Sequence, residues 1–583
     1  MRAPWKVPLA LFAAAALCLS PQAAAQPASG SPSVGPEVRV AADPAYKILV
    51  FSRTAGFRHS SIDDGIAALR SLGAAGHFTV DATEDAQAFT AGNLAQYQAV
   101  VFLSTTGDVL DATQQTAFEQ YIRGGGGYVG IHAAADTEYD WPFYEGLAGA
   151  LFQSHPAVQP ATVEVEDRAH DATAHLGGTW QRTDEWYNYR TNPRTSAHVL
   201  ASLDESSYSG GAMSGDHPIA WCKDYQGGRA FYTGGGHTDE SYAEPAFRRH
   251  LLGAIRWAAG LTHADCRPET GYTSLFDGSS TTGWQQAGPG GFTLADGTLT
   301  SHGGLGMLWY SAREFSGDYS VKLDWKATGD DNSGVFLGFP ASDDPWSAVN
   351  NGYEVQIDAT DAPERTTGAV YGFQSADLAA RDASLNPPGE WNTYELRVTG
   401  ERLEVFLNGR KINDFTNTDP ARSLAQGHIG IQNHGDGDEV SFRNVRIKQG
   451  GGQQPGPRSG EVKGVNGKCL DVDGAQTADG TKVQLWTCNG TGAQKWTLGG
   501  DGTLKALDKC LDVSGGGTAD GTRIQLWTCN GTGAQKWTPQ SDTTVRNPQS
   551  GKCLDASGST WNDGTPVHLW TCTAATHQKW TLP

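Results

Sequence analysis

The string Cys469-Leu470-Asp471, followed by Gln484-Leu485-Trp486-Thr487-Cys488 and Gln494-Lys495-Trp496, is written three times near the end of the chain. It returns as Cys510-Leu511-Asp512, Gln525-Leu526-Trp527-Thr528-Cys529 and Gln535-Lys536-Trp537, then as Cys553-Leu554-Asp555, His568-Leu569-Trp570-Thr571-Cys572 and Gln578-Lys579-Trp580. A self-similar period of roughly 40 residues means one supersecondary unit used repeatedly. Three units predict a closed trefoil. The first and second cysteine of every repeat stand at the same separation, which argues for three local disulfides among the roughly 15 connectivities six cysteines allow.

Each repeat carries a carboxylate, a side-chain amide or imidazole, and tryptophans. An aromatic face stacks on the C–H face of a pyranose while a carboxylate takes neighbouring hydroxyls. Trp496, Trp537 and Trp580 read as the apolar plugs of the three lobes, and Trp486, Trp527 and Trp570 as stacking platforms. The C-L-D opening with the Q-x-W triplet resembles the ricin B-type β-trefoil lectins from residue 459 to 583. That resemblance implies that Asp471, Asp512 and Asp555 accept sugar hydroxyls, that Gln484, Gln525 and His568 orient them, and that Trp486, Trp527 and Trp570 stack. Where that family often has Asn before the Q-x-W glutamine, this chain has Ala493, Ala534 and His577, leaving Asn489 and Asn530 to reach in from the preceding loop.

Working back toward the start, the first 25 residues read as a secretory signal: Arg2 and Lys6, an apolar run from Leu9 to Leu19, and Ala23-Ala24-Ala25 as a small-residue cleavage site. Leu17 before Cys18 lacks the small side chain a lipid-anchoring signal needs, so the expectation is a secreted, extracellular protein. Residues 26–45 form a Ser/Gly/Pro/Ala leader, and residues 450–458 a Gly/Gln/Pro linker. No later segment has the roughly 18 consecutive apolar residues of a membrane span. Of nine cysteines, Cys18 lies in the signal and six in the repeats, so Cys222 and Cys266 make a candidate fourth bridge. A formal net charge of −21 excludes a nucleic-acid partner, which would require a basic face. It suits an exported protein whose partner is a neutral polysaccharide or oligosaccharide.

Residues 46–262 alternate strands with helices: Lys47 to Ser52, Ala99 to Ser104 and Tyr128 to Ile131 as strands, Ser61 to Leu72 and Ala112 to Arg123 as helices. This predicts a parallel α/β sheet with ligands at the carboxyl ends of its strands. The glycines Gly124 to Gly127 precede their strand, whereas a phosphate cradle needs them after one, so a dinucleotide site is rejected. The strings Gly56-Phe57-Arg58-His59, Gly130-Ile131-His132-Ala133-Ala134, Trp141-Pro142-Phe143-Tyr144, His155-Pro156, Asp184-Glu185-Trp186-Tyr187-Asn188, Asp216-His217-Pro218 and Gly236-His237-Thr238 resemble the ThuA-like family. That family is linked to trehalose utilisation and implies a class I glutamine-amidotransferase-like sheet. Amidotransferases place a nucleophilic Cys where this chain has His132, which excludes glutamine hydrolysis through a thiolate. What remains is a histidine-rich pocket of His59, His132, His155 and His237 with Asp184, Glu185 and Asp216 as partners; His59, His132, Glu185 and His237 are the catalytic candidates. Such groups exchange protons near neutral pH, and the same set is competent to hold a divalent metal.

Residues 272–449 show short strands with Gly and Asn-Gly turns such as Asn408-Gly409, the pattern of an all-β sandwich. Glu354, Gln356 and Asp358 alternate, so they are expected on one sheet face. The strings Asn332-Ser333-Gly334-Val335-Phe336, Gly352-Tyr353-Glu354-Val355-Gln356-Ile357, Gly389-Glu390-Trp391-Asn392, Ile431-Gln432-Asn433-His434-Gly435 and Phe442-Arg443-Asn444-Val445-Arg446-Ile447 resemble the 3-keto-disaccharide hydrolase family, a concanavalin-like jelly roll. The resemblance implies that Glu354, Gln356, Asp358 and His434 line a sugar groove. Two sugar-linked modules followed by a lectin are read as a secreted glycoside or 3-keto-glycoside hydrolase or lyase working by general acid/base chemistry. A non-catalytic multivalent glycan binder and a metal-dependent hydrolase in the first domain stay open as alternatives.

Overall fold

The computed structural model describes residues 43–449, 458–498, 502–539, 543–558, 561–573 and 575–582. The expected signal, nearly all of the leader and all but the last residue of the linker lie outside these. Among the described residues no helix is long and apolar enough to cross a membrane.

The first domain is built on a nine-stranded sheet. Strands β1 (Tyr46–Phe51), β2 (Phe78–Thr83), β3 (Ala99–Leu103) and β4 (Gly127–Ile131) run parallel in the order β2-β1-β3-β4. Their runs of Val, Ile, Leu and Phe are buried throughout β3 and β4, as strands covered on both faces must be. Strand Gly228–Thr233 adds parallel to β4. The expectation of a parallel sheet holds only this far. Beyond it Pro218–Tyr225, His198–Leu203, Gln159–Val165 and Thr179–Asp184 continue the same sheet antiparallel; a tight turn joins Pro218–Tyr225 to Gly228–Thr233, and loops without an α-helix join the others. Strand β2, with its polar FTVDAT run, belongs to the edge and was not legible as a strand.

The second domain packs an eight-stranded sheet on a six-stranded one, all antiparallel. Tyr319–Lys326 and Asn392–Thr399 face Ser333–Phe339, Tyr353–Ile357 and Gln426–Asn433 across a core of Val321, Leu323, Leu396, Val335, Val355 and Ile431. The third domain is the expected trefoil: in each repeat the C-L-D strand pairs with the Q/H-L-W strand, and Trp496, Trp537 and Trp580 fill its interior. Cys469–Cys488, Cys510–Cys529, Cys553–Cys572 and Cys222–Cys266 are disulfide-bonded.

Residues 263–271 form a strap whose charges, Asp265 buried and Arg267 and Glu269 half-buried, are paired with the sandwich. His263 and Asn386 exchange two hydrogen bonds, of 2.7 and 2.8 Å, and Cys266 is tied to the sheet strand carrying Cys222. Lys322 alternates with the core residues Val321 and Leu323, so its ammonium leaves the opposite face of the sheet. There it meets Asp265 at 2.8 Å and Glu269 at 2.9 Å, while Arg267 bridges Asp265 and Glu395 at 2.6 and 2.5 Å. Burial disfavours the charged ammonium, but Asp265 and Glu269 outweigh it and raise the Lys322 pKa. Removing one member of such a set strands the others. Lys322→Ala is expected to lower the urea unfolding free energy of the transition involving these two domains by roughly 3 kcal/mol, whereas Lys411→Ala, whose pairs lie exposed on the surface, should leave it nearly unchanged.

Candidate functional site

In the α/β domain four side chains from four strand ends converge. His59 follows β1, His132 follows β4, Glu185 follows Thr179–Asp184, and His237 follows Gly228–Thr233. Four strand spacings separate the last two strands, roughly 19 Å in a flat sheet, so their meeting requires a coiled sheet. Asp184 fixes that closure: fully buried, it accepts from the backbone N–H of Gly236 (2.8 Å) and of His237 (3.0 Å), and pairs with Arg182 at 3.1 Å. Gly236 sits at φ +110°, where a Cβ would also strike the Tyr242 hydroxyl at 2.7 Å, so the turn that presents His237 needs glycine. His132 itself is held at φ 49°, a conformation costing about 1–3 kcal/mol that concentrates at functional sites.

Ligand-type atoms of His59, His132, Glu185 and His237 all lie within 4.8 Å of one another. His132 Nε2 stands 3.2 Å from His237 Nδ1 and 3.5 Å from Glu185 Oε2, and His237 Nδ1 stands 3.1 Å from the same oxygen. The other Glu185 oxygen meets His155 Nδ1 at 2.8 Å. Burial alone would raise the Glu185 carboxyl, but the adjacent imidazoles of His132 and His237 overcome it and hold its pKa well below the usual carboxylate range. The bond to Glu185 raises His237 against its desolvation. Burial, reinforced by His132 and His237, pushes His59 down to about 3. Asp216 is not part of this cluster; it pairs with Arg194 at 2.6 Å.

A second site lies on the six-stranded sheet of the sandwich. Tyr353, Val355 and Ile357 point into the core, so Glu354 and Gln356 point out, into a cavity of about 440 Å³ shared with Asn332, Phe336, Trp346 and Gln432, with His434 also in its wall. Glu354 Oε1, Gln356 Oε1 and Gln432 Oε1 are buried there with no hydrogen-bond partner. Burial alone pushes the Glu354 carboxyl up to about 8. A Cβ on Gly334, on the neighbouring strand, would meet Glu354 Oε1 at 2.2 Å, so that glycine makes room for the acid. His434 Nδ1 stands 2.9 Å from Asp438 Oδ2.

Asp358 does not join this cavity. The alternation that places Glu354 and Gln356 ends with the strand at Ile357, and the Asp358 carboxylate turns to cap the following loop, accepting from Thr360 N at 2.8 Å, Asp361 N at 3.0 Å and Asn332 Nδ2 at 2.7 Å. Trp346, half exposed on the cavity wall, was missed from the sequence. Its sole sequence signal is an aromatic placed after the turn residues Ser342 to Pro345.

In the trefoil each repeat holds its aspartate between two donors. Gln484 and Gln494 donate to the two oxygens of Asp471 at 3.2 and 3.0 Å, and Gln525 and Gln535 to those of Asp512, both at 3.0 Å. In the third, His568 Nε2 and Gln578 Nε2 each lie 2.8 Å from Asp555, and His577 Nε2 adds a third contact at 3.3 Å. A carboxylate has about four acceptor sites, so each keeps unused acceptor capacity on a residue that is 6, 5 or 3% exposed. Trp486, Trp527 and Trp570 are exposed at 39, 37 and 42%, whereas Trp496, Trp537 and Trp580 are buried with their indole N–H bonded to backbone. Asn489 and Asn530 do not reach in; each side chain caps its own loop at Thr491 or Thr532. A feature unread in the sequence links the repeats in a ring. Asp479 takes Lys509 and Thr528 of the next repeat, Asp520 takes Lys552 and Thr571, and Asp563 takes Lys468 and Thr487 of the first. The recurring Asp-Gly-Thr at 479, 520 and 563 is its signal.

Three family models match the chain in succession: trehalose utilisation (ThuA) over residues 47–258, a 3-keto-alpha-glucoside-1,2-lyase-like domain over 271–448, and a ricin-type β-trefoil lectin domain over 458–580. A curated relative from Bacteroides thetaiotaomicron, named 3-keto-disaccharide hydrolase, is 25% identical over 232 residues, covering 30% of this chain and 78% of the relative. Among solved structures, a protein from Bacteroides uniformis described as ThuA-like is 26% identical at TM-score 0.33, covering 39% of this chain and 95% of its own. Another from Parabacteroides distasonis, described as a glycosyl hydrolase, is 24% identical at TM-score 0.27, covering 31% of this chain and 94% of its own. The chain is a carbohydrate-active protein with a lectin-type domain. Replacing Trp486, Trp527 and Trp570 with Ala is expected to weaken glycan affinity by roughly threefold to tenfold per site without changing the melting temperature, as read by retention in affinity electrophoresis beside a thermal melt.

Proposed function

We propose that this carbohydrate-active chain is an exported enzyme that cleaves the glycosidic bond of 3-keto sugars in the sandwich cavity, while the trefoil holds the glycan. The observation that carries this reading is Glu354: a buried carboxyl with a free oxygen, kept protonated at neutral pH, in a cavity sized for a sugar and lined by unpaired amide oxygens. The family match of the same domain and its curated relative support the substrate class.

A ketone at sugar C3 acidifies the hydrogen on C2. His434 Nδ1–H donates to Asp438, which leaves Nε2 with its lone pair free to take that proton. The C–H electrons form a C1=C2 double bond, the C1–O bond breaks, and the departing oxygen takes the proton of Glu354. Water then adds its oxygen to C1 and a hydrogen to C2, and both side chains return to their starting states. The free oxygens of Gln356 and Gln432 accept sugar hydroxyls, and the exposed Trp346 covers one wall of the cavity.

The acid must be protonated, and burial raises its pKa; activity therefore persists below about pH 8 and falls as pH rises through it. Glu354→Gln keeps the shape and removes the proton. It is expected to lower kcat/KM on a 3-keto-disaccharide by about 10²–10⁴-fold and to abolish that alkaline limb. Equal turnover by E354Q would sink the assignment, and release of product from unoxidised disaccharides would move the substrate class to ordinary glycosides. No product from either, with glycan retained, would leave a purely binding protein.

A further inference from the structure

The cluster in the α/β domain is not used by the chemistry just described, and its geometry makes a demand of its own. His132 Nδ1 stands 2.9 Å from the Gly234 carbonyl oxygen, so that nitrogen carries a hydrogen and donates. The lone pair is thereby fixed on Nε2. It faces His237 Nδ1 at 3.2 Å and a carboxylate oxygen of Glu185 at 3.5 Å. A lone pair directed at an anionic oxygen is repelled unless a proton or a cation lies between them, and 3.5 Å is long for a shared proton. His59 adds a third imidazole, 5% exposed, whose Nδ1 has no partner.

The spacings among His132, His237 and Glu185 suit a shared cation, and the His59 ligand atom lies within 4.8 Å of theirs. Donor atoms about 2.1 Å from a tetrahedrally coordinated ion lie roughly 3.4 Å apart, and closer as the coordination number rises. The three separations among His132, His237 and Glu185, 3.1, 3.2 and 3.5 Å, bracket that value. The supporting contacts are those of a built site. The Gly234 carbonyl sets the tautomer of His132, His155 holds the second oxygen of Glu185, and Asp184 holds the backbone of His237.

We propose that His59, His132, Glu185 and His237 bind a divalent first-row transition-metal ion, and that the ion's remaining coordination positions take two adjacent oxygens of a sugar. Three imidazoles with one carboxylate suit that class of ion rather than Ca²⁺ or Mg²⁺, which prefer oxygen donors. Phe57 supplies the reason for a sugar. It is 67% exposed, and its ring lies 4.9 Å from that of His59, a platform beside the cluster of the kind a pyranose C–H face covers. This second sugar site stands apart from the sandwich cavity and does not rely on the acid/base reading given for it.

The test uses the full chain, stripped with a chelator and titrated with Co²⁺, read by bound-metal stoichiometry and by the visible Co²⁺ spectrum. One equivalent is expected, with imidazole-type absorption bands. Glu185→Gln, which preserves shape, and His237→Ala, at the partly exposed member, should each weaken binding by at least roughly 100-fold in protein whose melt shows it folded. Methyl glucoside and its 3-keto derivative are then added to the Co²⁺ form. A spectral change from either, lost in Phe57→Ala at unchanged metal content, is the expected result. Less than half an equivalent in the folded wild-type chain, or equal binding by both ligand variants, overturns the metal site. A spectrum that neither sugar alters, or an alteration that survives Phe57→Ala, overturns the sugar assignment. Because metal content and spectrum are measured without turnover, neither outcome depends on Glu354.

Discussion

A polar group taken out of water must find a partner or cost several kcal/mol, and an ionised one costs more. This constraint sorts the buried polar residues of the chain into scaffold and site. Asp184 is fully buried and fully satisfied by backbone N–H groups, Ser241 and Arg182. Glu354, buried at 5% exposure, has an oxygen that nothing in the protein meets. The first residue builds the turn that presents His237; the second waits for a group that the protein does not supply.

The same constraint explains the joint between the first two domains. A polar stretch such as His-Ala-Asp-Cys-Arg-Pro-Glu at 263–269 has the composition of a spacer. It is instead a strap: Asp265, Arg267 and Glu269 meet Lys322, Glu395 and Arg446 of the sandwich, and Cys266 is bonded to Cys222. Charges of opposite sign arrive from both sides, so their burial is offset. The outer face of the eight-stranded sheet can therefore be polar and still be covered.

The trefoil meets its need for closure by repetition. Each repeat lends an aspartate to a lysine and a threonine of the next, and the third lends to the first. Gly480 and Gly521, which follow two of these aspartates, border Trp527 and Trp570, so a platform belongs to one repeat and part of its wall to another.

The sequence by itself determined the three-domain order, the trefoil period and the distinction between buried and exposed tryptophans, because those depend on local spacing and on residue type. It also picked out His59, His132, Glu185 and His237, since polar residues just past strand ends are where an α/β sheet leaves room for a ligand. Tertiary structure alone decided which of these candidates meet. Asp216 lies with Arg194, and Asp358, one residue beyond its strand, turns to cap a loop. Local periodicity carries no information past the end of an element, and the approach of Thr179–Asp184 to Gly228–Thr233 depends on the coiling of the whole sheet. The isolation of Glu354 likewise depends on every neighbour that fails to reach it, which is a property of the fold and not of any string of residues.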